Sequence, residues 1–270
     1  MKHLMNDRKK NIEFFDSNSH PNVHGQWLGK IQNNTFMELN QSIVKNKMMG
    51  SLAVGIDNID NYDIDSFINE CNKYENIIPI AGINPTEKDF KDRIKKIKNL
   101  GYKGIKIHPR FSQIDLIKDK DLIFENINFC GEHHLTVLFC TYFNDREKGF
   151  IIEKPGDYIN DLLTSCKKIK IVLMHSGFSL YEEFLSNFIN FSNVLFDFSY
   201  TVMKMLEDNK RKSLTKLLNK HYGRICVGSD WPEYSHEELL NKLHYLLQDF
   251  DEFKIKKITH TNLLEYIEKS

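Results

Sequence analysis

The sequence predicts an α/β protein built as a (β/α)8 (TIM) barrel, and three observations carry that prediction. Short β-branched or aromatic runs recur along the chain, helical apolar spacing fills the intervals, and 270 residues match the roughly 250 that eight such units occupy. The runs begin near Phe14, Gly50, Ile77, Gly104, Leu135, Lys170, Val194 and Ile225, at intervals of 36, 27, 27, 31, 35, 24 and 31 residues. That beat is close to the ~30 residues of a βα unit.

The intervals read as helices. In TEKDFKDRIKKIKNLG, Phe90, Ile94 and Ile97 fall on one face, with Thr86 expected as N-cap and Gly101 just past the end. In SHEELLNKLHYLLQDF, Ser235 and Glu238 have capping-box spacing ahead of Leu239, Leu240, Leu243 and Leu246. Parallel strands joined by helices can close as a barrel or open as a doubly wound sheet. Eight even units favour closure, and the first strand lacks the glycine-rich phosphate loop of a dinucleotide fold. No linker composition interrupts the beat, so residues 1–270 are expected to form one domain, with about 1–12 as an N-terminal tail.

Composition narrows the function. Thirty-seven Lys and Arg balance 37 Asp and Glu, so no overall field favours nucleic acid or an acidic membrane. The content of 41% hydrophobic and 12% aromatic residues belongs to a globular chain. No apolar run approaches a membrane span, and no signal peptide follows the charged start, so a cytoplasmic protein is expected. The five cysteines form no CxxC pair, which argues against disulfides and a structural zinc knot.

In a barrel, reactive groups gather at the carboxyl ends of the strands. Here the first strand ends in Asp16, Asn18 and His20, expected on one face by their spacing. The fourth carries Lys106 and His108 ahead of Pro109 and Arg110, the fifth ends at Cys140, the sixth at His175 and the eighth at Asp230. Each has a bland reading: a histidine under a loop, an aspartate capping a helix, a small buried thiol. Ser235 fills the capping role better than Asp230, and a buried Lys106 needs a partner, for which Asp16 or Asp230 stands available. His3, His221, His236, His244 and His260 lie in the tail or in helical segments and receive no role.

These residues resemble a family. FFDSNSHPN is similar to the opening strand of the amidohydrolase superfamily, where Asp-x-His-x-His supplies two metal ligands. GIKIHP, VLMHSGF, VLFDFS, CVGSDWP and THTNLLEYI resemble the later markers of its amidohydrolase-related (amidohydrolase 2) branch, from about Phe14 to Ile267. The resemblance implies a barrel holding one or two divalent metals, often zinc, that activate water against amide, ester or lactone bonds; some relatives decarboxylate or hydrate. By position it implies metal ligands at His20, His175 and Asp230. Asn18 stands where a histidine belongs and Cys140 where a strand-five histidine belongs, which argues against a two-metal centre.

The leading expectation is therefore a hydrolase using one divalent ion, zinc first, held by His20, His175 or Cys140, and Asp230, with Asn18 beside them. Asp230 would act as base, with His108 or His175 steadying the oxyanion. Lys106 and Arg110 would hold a carboxylate or phosphate on a small substrate. His24, Trp27, Tyr142, Tyr200 and Trp231 would shape the pocket. The alternatives are a metal-independent lactonase or decarboxylase on the same barrel, and a non-catalytic binding barrel. The expected partner is a small molecule, and a homo-oligomer stays open.

Overall fold

The computed structural model describes residues 12–143, 152–208 and 210–268, so nearly all of the expected tail lies outside the described residues. Eight strands form one sheet: β1 (Phe15–Ser19), β2 (Gly50–Val54), β3 (Ile77–Gly82), β4 (Gly104–Ile107), β5 (Thr136–Cys140), β6 (Ile171–Met174), β7 (Val194–Asp197) and β8 (Ile225–Cys226). Each pairs in parallel with the next in chain order. Past the end of β8 the ring approaches closure on β1, through Ser17 N–H to Val227 O (3.4 Å), His20 N–H to Trp231 O (2.7 Å) and a bridge between Ser19 and Trp231. Every strand begins within a residue of its expected start, because the alternation that marks it also decides which side chains face inward.

The principal helices are α1 (Phe36–Lys45), α2 (Ile64–Cys71), α3 (Phe90–Asn99), α4 (Lys120–Glu132), α5 (Pro155–Ser165), α6 (Tyr181–Phe188), α7 (Thr201–Glu207), α8 (Arg211–His221), α9 (His236–Leu246), α10 (Glu252–Lys256) and α11 (Asn262–Glu268). A small antiparallel hairpin, Gln26–Trp27 with Lys30–Ile31, follows β1. Two apolar clusters divide the interior. Leu52, Val54, Leu138, Val172, Met174 and Leu195 fill the barrel, and Leu263 and Ile267 of α11 pack against them. The opposite parity, such as Ile105, Val137, Phe139, Leu173 and Phe196, packs outward against the helices. Among the described residues no helix is long and apolar enough to cross a membrane.

Capping followed local hydrogen-bond competition. Ser235 Oγ accepts the Glu238 N–H (3.2 Å) and starts α9 as expected. Thr86 does not cap α3: Asn84 Oδ1 takes both its N–H (3.0 Å) and its hydroxyl (2.8 Å), and the helix starts later, at Phe90. Gly101 lies at φ +92°, a left-handed position suited to glycine after the helix end.

Candidate active site

The carboxyl ends of the strands surround a cavity of about 200 Å³. At ~30 Å³ per water this is room for some seven waters, or one small organic molecule. His20 reaches it from the end of β1, His108 and Arg110 from the loop after β4, His175 from the residue after β6, and Asp230 from the loop after β8. Lys106, Cys140 and Asn18 are buried and lie behind this lining.

Strained backbone presents two of these side chains. His175 (φ +62°) begins a run of four positive-φ residues through Phe178, and Asp230 stands at φ +60°. Non-glycine residues held this way cost on the order of 1–3 kcal/mol each, and such positions cluster at functional sites. Asp197 fixes the first turn: its Oδ1 accepts N–H groups from His175 (3.2 Å) and Ser199 (3.1 Å).

The tautomers follow from the hydrogen bonds. His20 Nδ1 bonds Val54 O (2.8 Å), turning Nε2 to Asp230 Oδ1 at 3.3 Å. His175 Nδ1 bonds Ser199 O (2.9 Å). His108 Nδ1 accepts the Phe111 N–H (3.4 Å), so its Nε2–H is the donor to Cys140 Sγ, at 3.5 Å. Asn18 Nδ2 donates to Ser199 Oγ (3.2 Å) and, in a short contact, to Asp230 Oδ1.

Charge is divided sharply among these groups. Burial opposes ionisation of Asp230, but His175 and His20 hold its carboxyl well below the usual carboxylate range. Burial likewise pushes His175 down, yet the Asp230 carboxylate and Cys140 outweigh it and raise the imidazole to about 9. His108 is lowered, chiefly by burial, and stays neutral near pH ~7. Burial would raise Cys140, but His108, His175 and Lys106 bring its thiol well below the ordinary value. Lys106 is only 1% exposed, and its Nζ has no hydrogen-bond partner.

Several sequence expectations change here. β1 carries a register irregularity between Asp16 and Ser19, so Asp16 parts from Asn18 and His20. Its carboxylate bonds Ser229 and His236 instead, and neither Asp16 nor Asp230 hydrogen-bonds Lys106. His24 is exposed and outside the cavity lining. Trp231 also lies outside the lining and stacks on His236 (6.2 Å). Trp27 does line the cavity, stacked on His20 (4.9 Å) with Nε1–H on Glu233 (2.7 Å), as do Tyr142 and Tyr200. The Arg110 guanidinium lies over the rings of Phe111 (4.4 Å) and Tyr142 (5.3 Å).

Sequence reading passed over Asp197, Ser199, Glu233 and His236. Asp197 and Ser199 carried a signal, the same two-residue spacing that drew notice to Lys106 and His108. His236 carried none, since it sits at an ordinary helical position.

The donors do not fit a resident metal as they are arranged. Among the described residues, no three His, Cys, Asp or Glu side chains form a group that could hold an ion. Asn18 turns its amide nitrogen, not its oxygen, to Asp230, and Cys140 is engaged by His108. A buried ammonium, Lys106, stands close enough to act electrostatically on Asp230, His175 and Cys140.

Comparison with known proteins adds to this geometry. The family model described as Amidohydrolase matches residues 60–262. A TIM-barrel protein from Bordetella bronchiseptica, described as uncharacterized, superposes with a TM-score of 0.74 at 14% identity, covering 95% of this chain and 100% of its own. An amidohydrolase from Burkholderia multivorans with bound zinc gives 0.70 at 11% identity, covering 95% and 99%. A probable 2-pyrone-4,6-dicarboxylic acid hydrolase from Acinetobacter baumannii, with citric acid bound, gives 0.68 at 14% identity, covering 95% and 100%. At such identities these likenesses concern the fold. No curated protein matches the chain.

Proposed function

The chain belongs to the amidohydrolase family, and from that premise we propose that it hydrolyses an ester, lactone or amide bond of a small anionic substrate, with Asp230 as the base. The observation that carries this reading is that Asp230 and His175, each on left-handed backbone, line one small cavity together, near enough for the carboxylate and the imidazolium to favour each other's charge. Asp230 is ionised and so free to accept a proton from water; the cations that lower its carboxyl weaken it as a base, and the same positive charge stabilises the oxyanion that follows.

The steps balance within the chain's own groups. Asp230 takes one proton from water as the water oxygen bonds the carbonyl carbon. The carbonyl oxygen becomes negative and is met by the His175 imidazolium. Collapse breaks the bond to the leaving oxygen or nitrogen, which takes the proton back from Asp230. Arg110, at the cavity wall, meets the substrate's carboxylate, and Lys106, an ammonium without a hydrogen-bond partner buried just behind the wall, draws it inward. Tyr142 and Tyr200 flank the space and favour a flat substrate. The hydrolase description of the Acinetobacter neighbour, and the tricarboxylate bound to it, support the same class of chemistry.

A second reading draws on Asn18 Oδ1, which is buried without a hydrogen-bond partner, and on the zinc bound by the Burkholderia neighbour. In it His20, His175 and Asp230, brought closer together than they stand here, would hold a divalent ion, zinc first, whose chemistry would be to make a bound water more acidic.

The test is a panel of small carboxylated esters, lactones and amides. Turnover that disappears in Asp230→Asn, with cooperative melting retained, is the expected result. No turnover across the panel by well-folded protein would overturn the hydrolase reading and leave a binding barrel.

A further inference from the structure

Asp16 lies outside the cavity and is completely buried, yet its carboxylate accepts five hydrogen bonds. Oδ1 accepts the N–H groups of Asn18 (3.1 Å) and Ser229 (2.9 Å). Oδ2 accepts the Ser19 hydroxyl (2.9 Å), the Nε2–H of His236 (2.8 Å) and the Ser229 hydroxyl in a short contact. With Nε2–H given to Asp16, His236 Nδ1 accepts the Ser42 hydroxyl of α1 (2.8 Å).

These bonds converge on the turn that carries Asp230. Ser229, on one side of it, is bound to Asp16 by both backbone and side chain. Ser229 Oγ also accepts the N–H of Trp231, on the other side, at 3.0 Å. Gly228 presses on the carboxylate so closely that a Cβ there would stand 2.6 Å from Asp16 Oδ1. The same Oδ1 holds the backbone of Asn18, whose amide donates to Asp230. One carboxylate therefore governs both the strained turn and its hydrogen-bond donor.

We propose that Asp16 is a positioning residue for Asp230, setting the base through Ser229 and Asn18 and tied to α1 and α9 through the His236–Ser42 link. It touches no substrate. The proposal rests on the reading of Asp230 as base.

The test uses the chain's two tryptophans, Trp27 and Trp231, replaced by fluorotryptophan and followed by fluorine NMR beside steady-state kinetics on the best substrate of the panel. In Asp16→Asn, kcat is expected to fall roughly 10–100-fold with KM within about threefold of wild type, the scale seen when a supporting hydrogen bond is lost. The Trp231 resonance moves or broadens while that of Trp27 holds. Ser19→Ala removes a side-chain bond to the same carboxylate but keeps the bonds from Ser229 and the backbone bridge from Ser19 to Trp231, and leaves both readouts in place at a similar melting temperature. Should Asp16→Asn not fold, Ser229→Ala breaks the same link and is read in the same way. Unchanged kcat and Trp231 resonance in Asp16→Asn, or an equal loss in Ser19→Ala, overturns the proposal. If wild type hydrolyses nothing, the proposed function fails, and the Trp231 resonance alone decides this inference.

Discussion

His108 and Cys140 meet across the neighbouring strands β4 and β5, with the imidazole Nε2–H directed at Sγ from 3.5 Å. The Phe111 N–H occupies the other ring nitrogen and so fixes which one donates. The thiol also lies under the influence of the His175 imidazolium and the Lys106 ammonium. Three groups that favour negative charge thus surround a sulfur that burial alone would keep neutral.

Cys140 should therefore ionise below the ordinary thiol value. The other described cysteines should not: burial pushes Cys71 and Cys166 up to about 12 and raises Cys130 and Cys226 as well. On raising the pH, the first ultraviolet thiolate absorbance is expected to correspond to one thiolate per chain, to appear below the ordinary ~8.5 of a thiol and to vanish in Cys140→Ser. Absorbance that first rises near the ordinary thiol value would contradict this environment.

His175 sets a limit at high pH. Its folded-state value of about 9 lies above the ordinary ~6.5, so the proton is held across neutral pH and lost as pH rises through about 9. The stability contributed by its pairing with Asp230 is complete below pH ~6.5 and disappears over the same window. Asp230, shifted down, keeps its charge as pH falls toward ~4. Initial rates should hold to about pH 9 and fall tenfold per unit beyond it. A fall beginning near pH 6 would remove His175 from the role of oxyanion cation.

The barrel was legible because a period repeated eight times is a strong signal, carried by side chains whose alternation is also the packing pattern. The main cavity groups were legible for a related reason: His20, His108, His175 and Asp230 each follow an apolar strand, where position alone predicts the destination. Asp16 shows the limit. Its spacing from Asn18 and His20 promised a shared face, and a register irregularity in β1 sent it to Ser229 and His236 instead. Irregularities of that kind depend on what the far side of the ring supplies, over 200 residues away in the chain. His24 and Trp231 fall outside the cavity lining for a similar reason, since loop conformation decides whether a residue near the site faces it.

Metal removal separates the two hydrolytic readings. Asp230 is bonded by Asn18 and His20, and no three ligand-type side chains among the described residues are grouped for an ion. Turnover should survive prolonged treatment with a chelator, and elemental analysis should find well under one ion per chain. Trp27, stacked on His20, would report any ion that binds there through its emission. Near-stoichiometric zinc with loss of turnover on chelation would favour the second reading.

Lys106 offers the clearest probe of substrate charge. A buried ammonium without a hydrogen-bond partner carries an unrelieved desolvation cost, which an incoming carboxylate would offset. A hydrogen bond to a charged group is worth about 1.5–3 kcal/mol, so Lys106→Met should weaken a carboxylated substrate roughly 10–150-fold. The methyl ester of that substrate carries no charge, its carbonyl oxygen is a weaker acceptor, and it should lose less. Lys106 also helps hold Cys140 as a thiolate, so the same variant should shift the ultraviolet titration of Cys140 upward. The two readouts are independent, since one needs a substrate and the other does not. An upward shift at Cys140 with equal losses for acid and ester would keep Lys106 in the charge network and remove it from substrate binding. A selective loss for the acid assigns the substrate's carboxylate to the floor of the barrel.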